Sequence, residues 1–233
     1  AAEFVAQEEM SRFEGYWWSP DSKRLVVQRT DEANVERMRI VDPYRPESNP
    51  VEFAYPRPGR ANAVVTLAVL PAEGGAPVWI EWDRARYPYV CTVRWPEAGP
   101  LTLLVMNREQ TEAVLLACEP ATGATRTLLV ERDAAWLNLE QSVPHWIDGG
   151  RAFLWYAERD DSGPWLERRG ADGELLGRLT PAGLRVAGLL GVDEARGVAW
   201  VAATDDPTES HVWRVWLRAK RAPERVTRES GLH

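Results

Sequence analysis

Hydrophobic positions along the chain come in strand-length runs, and four of the runs open in the same way. The first reads Tyr16-Trp17-Trp18-Ser19-Pro20-Asp21-Ser22 and leads into Leu25-Val26-Val27. The second reads Val93-Arg94-Trp95-Pro96-Glu97-Ala98-Gly99-Pro100 and leads into Leu101-Thr102-Leu103-Leu104. The third, Val143-Pro144-His145-Trp146-Ile147-Asp148-Gly149-Gly150, leads into Ala152-Phe153-Leu154. A degenerate fourth runs Leu190-Gly191-Val192-Asp193-Glu194-Ala195-Arg196-Gly197 into Val198-Ala199-Trp200. Each predicts a strand, a tight turn rich in Asp and Gly, and a second apolar strand, which together make a hairpin.

The spacing makes the hairpins a repeat. Trp95 to Trp146 spans 51 residues and Trp146 to Val192 spans 46. A second ladder at the unit ends (Leu129, Thr180, Thr227) advances by 51 and 47, so the two keep step. Between them lie further strand-turn-strand pieces, Leu115–Leu129 turning at Pro120-Ala121-Thr122-Gly123 and Trp165–Leu179 turning at Asp172-Gly173. Four short strands in a period of ~40–50 residues are the signature of a β-propeller blade. A β-sandwich would not keep two ladders in register. The expectation is an all-β partial propeller of about four four-stranded antiparallel blades, over 16–79, 87–131, 143–181 and 187–228, preceded by a short helical segment 1–15 that carries Glu8 and Glu9. The first blade is too long, and its excess near 36–60 holds Asp42-Pro43-Tyr44-Arg45-Pro46 and Tyr55-Pro56-Arg57-Pro58-Gly59. Prolines and mixed charge suit an arm leaving the blade, either to dock on a partner or as a plain surface excursion.

Composition then narrows the function classes. The chain has 233 residues, net charge −7 and 45% hydrophobic residues, so it is long enough for a substantial core. An acidic balance without a basic face argues against nucleic acid as a partner. No apolar run approaches the roughly 18 residues of a membrane span. Trp is unusually frequent, 12 against Phe 4 and Tyr 6; the repeat explains several of these as residues packing one blade on the next. Cys91 and Cys118 fall on the first and third strands of one blade, almost ~10 Å apart, which predicts two free thiols. Ala1–Val5 carry neither a start Met nor a signal-peptide pattern, so the chain is expected to be a piece of a longer protein.

Candidate chemistry is sparse. No Gly-x-Ser-x-Gly elbow occurs, Ser19 sits before Pro20 in a turn, and His145 lies inside the repeat. Three scattered His and two distant Cys give no metal-ligand spacing, and no Gly-rich phosphate loop opens a helix, so neither metal nor cofactor is expected. The remaining feature is Glu8-Glu9, in a segment of good helix formers. An ammonium has three donors and accepts charge-assisted bonds from two carboxylates at once. Adjacent helical residues splay by roughly 100°, so such a pair converges on one cation only at a helix end or a distorted turn. Taken alone, adjacent glutamates are usually solvated surface.

Glu8-Glu9-Met10 followed by Gly15-Tyr16-Trp17-Trp18-Ser19-Pro20-Asp21 resembles the double-Glu motif and adjoining blade start of the dipeptidyl peptidase IV family, in its bacterial style. Tyr55-Pro56-Arg57-Pro58-Gly59-Arg60-Ala61-Asn62, Val105-Met106-Asn107-Arg108, Ala135-Trp136-Leu137-Asn138-Leu139 and Gly191-Val192-Asp193-Glu194 extend the likeness along the chain. The resemblance implies roughly the second half of an eight-bladed propeller. A C-terminal α/β-hydrolase domain with a Ser-Asp-His triad would lie outside this chain, so no catalytic residue is expected here and the chain alone should be inactive. By the same resemblance, Glu8 and Glu9 grip the N-terminal ammonium of a peptide from which X-Pro or X-Ala dipeptides are released. The arm near 36–60 falls where the family forms homodimers, and a periplasmic or secreted parent is implied. Where animal members place an aromatic and an Arg, this chain reads Leu137-Asn138-Leu139-Glu140-Gln141-Ser142-Val143, leaving Asn138 as the pocket candidate. The alternatives are a non-catalytic binding propeller and the propeller of a prolyl-oligopeptidase-type endopeptidase, which needs no double-Glu clamp.

Overall fold

The computed structural model describes residues 2–159, 162–218 and 221–233. A five-residue helix, α1 (Phe4–Glu8), precedes strands β1 (Tyr16–Trp18), β2 (Arg24–Asp31), β3 (Arg37–Ile40), β4 (Val51–Ala54), β5 (Val64–Pro71) and β6 (Val78–Trp79). The first sheet has the order β1-β2-β5-β6, and β3 pairs only with β4 as a separate two-stranded ribbon. The second sheet is built from β7 (Tyr89–Arg94), β8 (Leu101–Met106), β9 (Glu112–Cys118) and β10 (Thr125–Arg132). The third uses β11 (His145–Ile147), β12 (Ala152–Ala157), β13 (Trp165–Gly170) and β14 (Leu175–Arg178). The fourth uses β15 (Arg185–Asp193), β16 (Val198–Thr204), β17 (His211–Trp216) and β18 (Glu224–Arg225). Pairing is antiparallel throughout these sheets. The protein is therefore a partial β-propeller whose sheets do not close into a ring.

Three hydrophobic cores lie between the four sheets. Val26, Leu67 and Val69 of the first sheet meet Val90, Leu103 and Val105 of the second. Leu104, Met106 and Leu115 of the second meet Trp146, Phe153 and Trp165 of the third. Ile147, Leu154 and Leu166 of the third meet Val186, Val201 and Val215 of the fourth. Strand β8 shows how the pleat divides its residues: Leu101, Leu103 and Val105 face one core while Leu104 and Met106 face the next.

Turns lock neighbouring sheets together. The β9–β10 turn carries Gly123 with φ +76, where a Cβ would stand 1.9 Å from the Trp79 carbonyl oxygen at the end of the first sheet. One repeat later, Gly173 with φ +91 sits in the β13–β14 turn, and a Cβ there would stand 1.8 Å from the Leu128 carbonyl of the second sheet. Only glycine supplies both the positive φ and the room. Tryptophan works at the same interfaces: the Trp146 ring packs on the Gly99 turn, and Arg24 stands 5.3 Å over the Trp95 ring. Cys91 on β7 and Cys118 on β9 are buried free thiols two strands apart.

Candidate functional site

Alone, α1 has little reason to form, because isolated helices shorter than ~12–15 residues are marginal in water. Glu3 precedes it without a side-chain capping bond. Tertiary anchors hold it instead. Val5 and Met10 enter the core between the second and third sheets. Arg12 is buried and donates from Nε to the Val90 carbonyl at 3.0 Å and from Nη1 to the Glu14 carbonyl at 2.6 Å. Burial lowers the Arg12 pKa, and the adjacent Glu3 carboxylate works in the opposite sense. Ser11 adopts φ +52, turning the chain sharply after the helix. This is the helix-end geometry that an adjacent carboxylate pair requires: Glu8 is the last helical residue and Glu9 the C-cap. Both are exposed, and among the described residues no ion pair occupies either.

Glu9 lines a cavity of about 400 Å³ together with Ser11, Arg108, Trp136 and Asn138. The two predicted positions Glu9 and Asn138 are thus brought to one cavity from sequence positions far apart, whereas Glu8 stands outside its lining. Gln141 ties the walls together. Its Nε2 donates to the Met10 carbonyl at 2.5 Å and to the Cys91 carbonyl at 3.1 Å, while its Oε1 accepts from Thr92 Oγ1 at 2.8 Å. Every polar atom of that amide is satisfied, which fixes the turn after Glu9 against the second sheet. Among the described residues, Arg108 Nη2 reaches the Arg57 carbonyl at the base of the ribbon, at 3.4 Å, and no carboxylate.

The segment Trp136–Leu139 is a partition wall. Its other side bounds a second cavity of about 330 Å³, lined also by Glu131, Glu140, Trp155, Tyr156, Glu158 and Arg159. Asn138 Nδ2 donates to Glu158 Oε2 at 2.7 Å, so the Asn side chain is engaged on this face. Arg159 spans Glu131 and Glu167, with Nε to Glu131 Oε2 at 2.8 Å and Nη1 to Glu167 Oε1 at 2.6 Å. Burial draws the Glu167 carboxyl upward, but the bonds from Arg159 and Trp165 outweigh it and hold its pKa below the ordinary value. Burial pushes the Tyr156 hydroxyl up to about 12, so it stays protonated at neutral pH. Trp136 is 67% exposed where both cavities meet.

The other candidates have structural settings. The Ser19 hydroxyl donates within its turn to Asp21 Oδ1 at 2.6 Å and accepts from the Arg24 N–H at 2.9 Å. His145 is half-buried on β11, and burial lowers its pKa. Among the described residues no group of three or more His, Cys, Asp and Glu converges as a metal site. No described helix is long and apolar enough to cross a membrane. Reasoning from sequence did not single out Arg108, Gln141, Glu158 or Arg159. Arg108, inside Val105-Met106-Asn107-Arg108, and Gln141, inside Leu137–Val143, lay in stretches that drew notice.

The sequence model for the N-terminal region of dipeptidyl peptidase IV matches residues 1–233. The chain belongs to that family. It is 28% identical over 141 residues to mouse dipeptidyl peptidase 8, covering 51% of this chain and 16% of that protein. It is 26% identical over 162 residues to mouse inactive dipeptidyl peptidase 10, covering 66% of this chain and 20% of that one. Among solved structures, Porphyromonas gingivalis dipeptidyl peptidase 4 superposes with TM-score 0.87 at 20% identity, over 100% of this chain and 33% of that chain. A putative dipeptidyl aminopeptidase IV from Bacteroides ovatus gives 0.80 at 19% identity, over 93% and 33%. The chain therefore spans a third of these solved chains and a fifth or less of these curated relatives.

Proposed function

We propose that this propeller segment binds the N-terminal amine of a peptide for a serine-type dipeptidyl peptidase whose hydrolase domain lies outside the chain. The observation that carries the reading is the exposed, unpaired Glu8-Glu9 pair at a helix end, with Glu9 facing a cavity shared with Asn138. Two carboxylates at a fixed place, with the nucleophile a fixed distance away, act as a ruler. Two extended residues span ~7 Å, so dipeptides are released. The β3–β4 ribbon is the arm through which we take two copies to associate, and the periplasm or exterior is the compartment we assign to the parent.

In the full-length protein, Glu8→Ala or Glu9→Ala should lower kcat/KM for a dipeptidyl substrate about ten- to hundredfold, the effect of losing a charge-assisted hydrogen bond. Near-full kcat/KM in both variants would sink the clamp. Substrate binding should weaken as pH rises through ~7.7–8.0, where a peptide amine loses its proton. A second reading, a binding propeller without catalysis, is favoured by the likeness to a relative described as inactive. It would keep amine-dependent binding in a parent with no hydrolysis.

A further inference from the structure

The helix that carries the two glutamates meets two different surfaces, and one of them is the β3–β4 ribbon. Phe4 opens α1, and its ring stands 4.8 Å from Tyr55 in an edge-on contact and 6.2 Å from Phe53 in a stacked one. Phe53 and Tyr55 meet at 6.2 Å and 86°. Phe53 belongs to β4 of the ribbon, and Tyr55 follows directly, its N–H donating to the Glu36 carbonyl at 2.8 Å. The base of the ribbon therefore packs on the helix that carries the carboxylates.

Helical spacing assigns each carboxylate to an anchor. Residues four apart lie one above the other on a helix face. Glu8 therefore stands over Phe4 and the aromatic cluster, and Glu9 over Val5, which is buried in the core between the second and third sheets. We propose that Phe4, Phe53 and Tyr55 are positioning residues that couple the ribbon to Glu8, while the inter-sheet core positions Glu9. The five-residue helix has no side-chain cap, and the Phe4 ring is its aromatic contact with the ribbon. Movement of the ribbon, such as a partner gripping it would cause, then changes the separation of the two carboxylates without touching the substrate. This inference rests on the amine-clamp reading for its consequence in binding, though the mechanical link stands on the packing alone.

Kinetics on the full-length protein with a glycyl-prolyl chromogenic amide provide the test. Phe53→Ala should raise KM about two- to tenfold, the scale of lost aromatic contacts, with kcat within about twofold. Phe53→Tyr should restore most of the loss. In double variants, the effect of Phe53→Ala should largely vanish in a Glu8→Gln background and persist in a Glu9→Gln background. Equal coupling to both glutamates, or an unchanged KM, would overturn the proposal; if Phe53→Ala does not fold, Phe53→Leu and Tyr55→Leu carry the same cycle. Should neither Glu8→Gln nor Glu9→Gln alter KM, the clamp reading has failed. Hydrogen exchange on the 233-residue chain then judges the link: while the Glu9 amide, bonded to the Val5 carbonyl at 2.9 Å, keeps its rate in Phe53→Ala, the Glu8 amide of α1 should exchange about two- to tenfold faster. An unchanged Glu8 rate rejects it.

Discussion

The second sheet and the fourth share a strand plan and differ in what lies against them. The second has a hydrophobic core on each face, so β8 is buried at every position and β7 at all but its last. Among the described residues the fourth has a core on one face, and β15 alternates exposed Arg185, buried Val186 and exposed Ala187 before its register shifts at Gly188 and Gly191. A sheet covered on both sides loses the alternation that marks a half-buried strand, whatever its hydrogen-bond pattern. Its apolar runs could equally be buried helix segments, and turn chemistry decides between them. Stability should follow the same division.

Glycines give the sharpest contrast. Gly173→Ala places a Cβ against the Leu128 carbonyl at φ +91, and neither backbone can yield cheaply. Loss of more than about 4 kcal/mol, or of the fold, is expected. Gly191 of the fourth sheet has open space around its Cβ position, and Gly191→Ala should stay within about 0.5 kcal/mol. Chemical denaturation of both variants checks this, and comparable losses would erase the distinction between the interior turns and the outer sheet.

Leucines come next. Leu103 is fully buried between the first and second sheets, whereas Leu190 is 58% exposed. Leu103→Ala should cost about 2–5 kcal/mol through lost transfer energy and an unfilled cavity. Leu190→Ala should change the denaturation midpoint little, within about 0.5 kcal/mol. A large effect at Leu190 would show that the outer face is covered in solution, and scattering measurements would then identify self-association as the cause.

These contrasts explain what sequence reasoning could reach. Tryptophans before Asp- and Gly-rich turns repeat because each marks a place where one sheet meets the next, so the propeller was readable from spacing. The prolines of 43–58 were readable as a departure from the blade, since a ribbon outside the sheet has no inter-sheet core to fill. Long-range partners were not readable. Nothing near Phe4 announces Phe53 or Tyr55, and nothing near Gln141 announces the Met10 carbonyl. Glu8 and Glu9 stood out as an adjacent pair, but the turn at Ser11 and the wall at Trp136–Leu139 that shape their surroundings arise from tertiary packing. Arg159 escaped notice because it sits between β12 and β13 of the third unit in no recognisable motif, and only the fold brings Glu131 and Glu167 to it.

That interior ion cluster sets up a smaller, pH-dependent difference. Glu167 is held below its ordinary 4.5, so it contributes stability that is present above that value and lost as pH falls through the lower folded value. Wild-type Tm should therefore drop on acidification from about pH 4.5 downward, and Glu167→Gln should flatten part of that drop. At neutral pH, Arg159→Met should cost about 1–3 kcal/mol, since buried Glu131 loses its cation while Glu167 keeps Arg169. A Glu167→Gln profile parallel to wild type would show that the acid transition belongs to other carboxylates.

The ribbon's own ion pair should matter least. Arg39 Nε lies 2.6 Å from Glu52 Oε1 across the β3–β4 pair, as close as Arg159 stands to buried Glu167, yet the side chains are 69% and 42% exposed. Water screens the attraction, and ordering two long side chains opposes it, so geometry alone overstates its value. Arg39→Ala should shift stability by no more than about 0.5 kcal/mol, and added salt should remove what shift there is. The same substitution should leave KM for a dipeptidyl substrate unchanged, because Arg39 does not touch the Phe4–Phe53–Tyr55 contact through which we take the ribbon to act. A KM change from Arg39→Ala equal to that from Phe53→Ala would mean that the ribbon acts as one rigid body, with charge at its tip and aromatic packing at its base exerting the same control over Glu8.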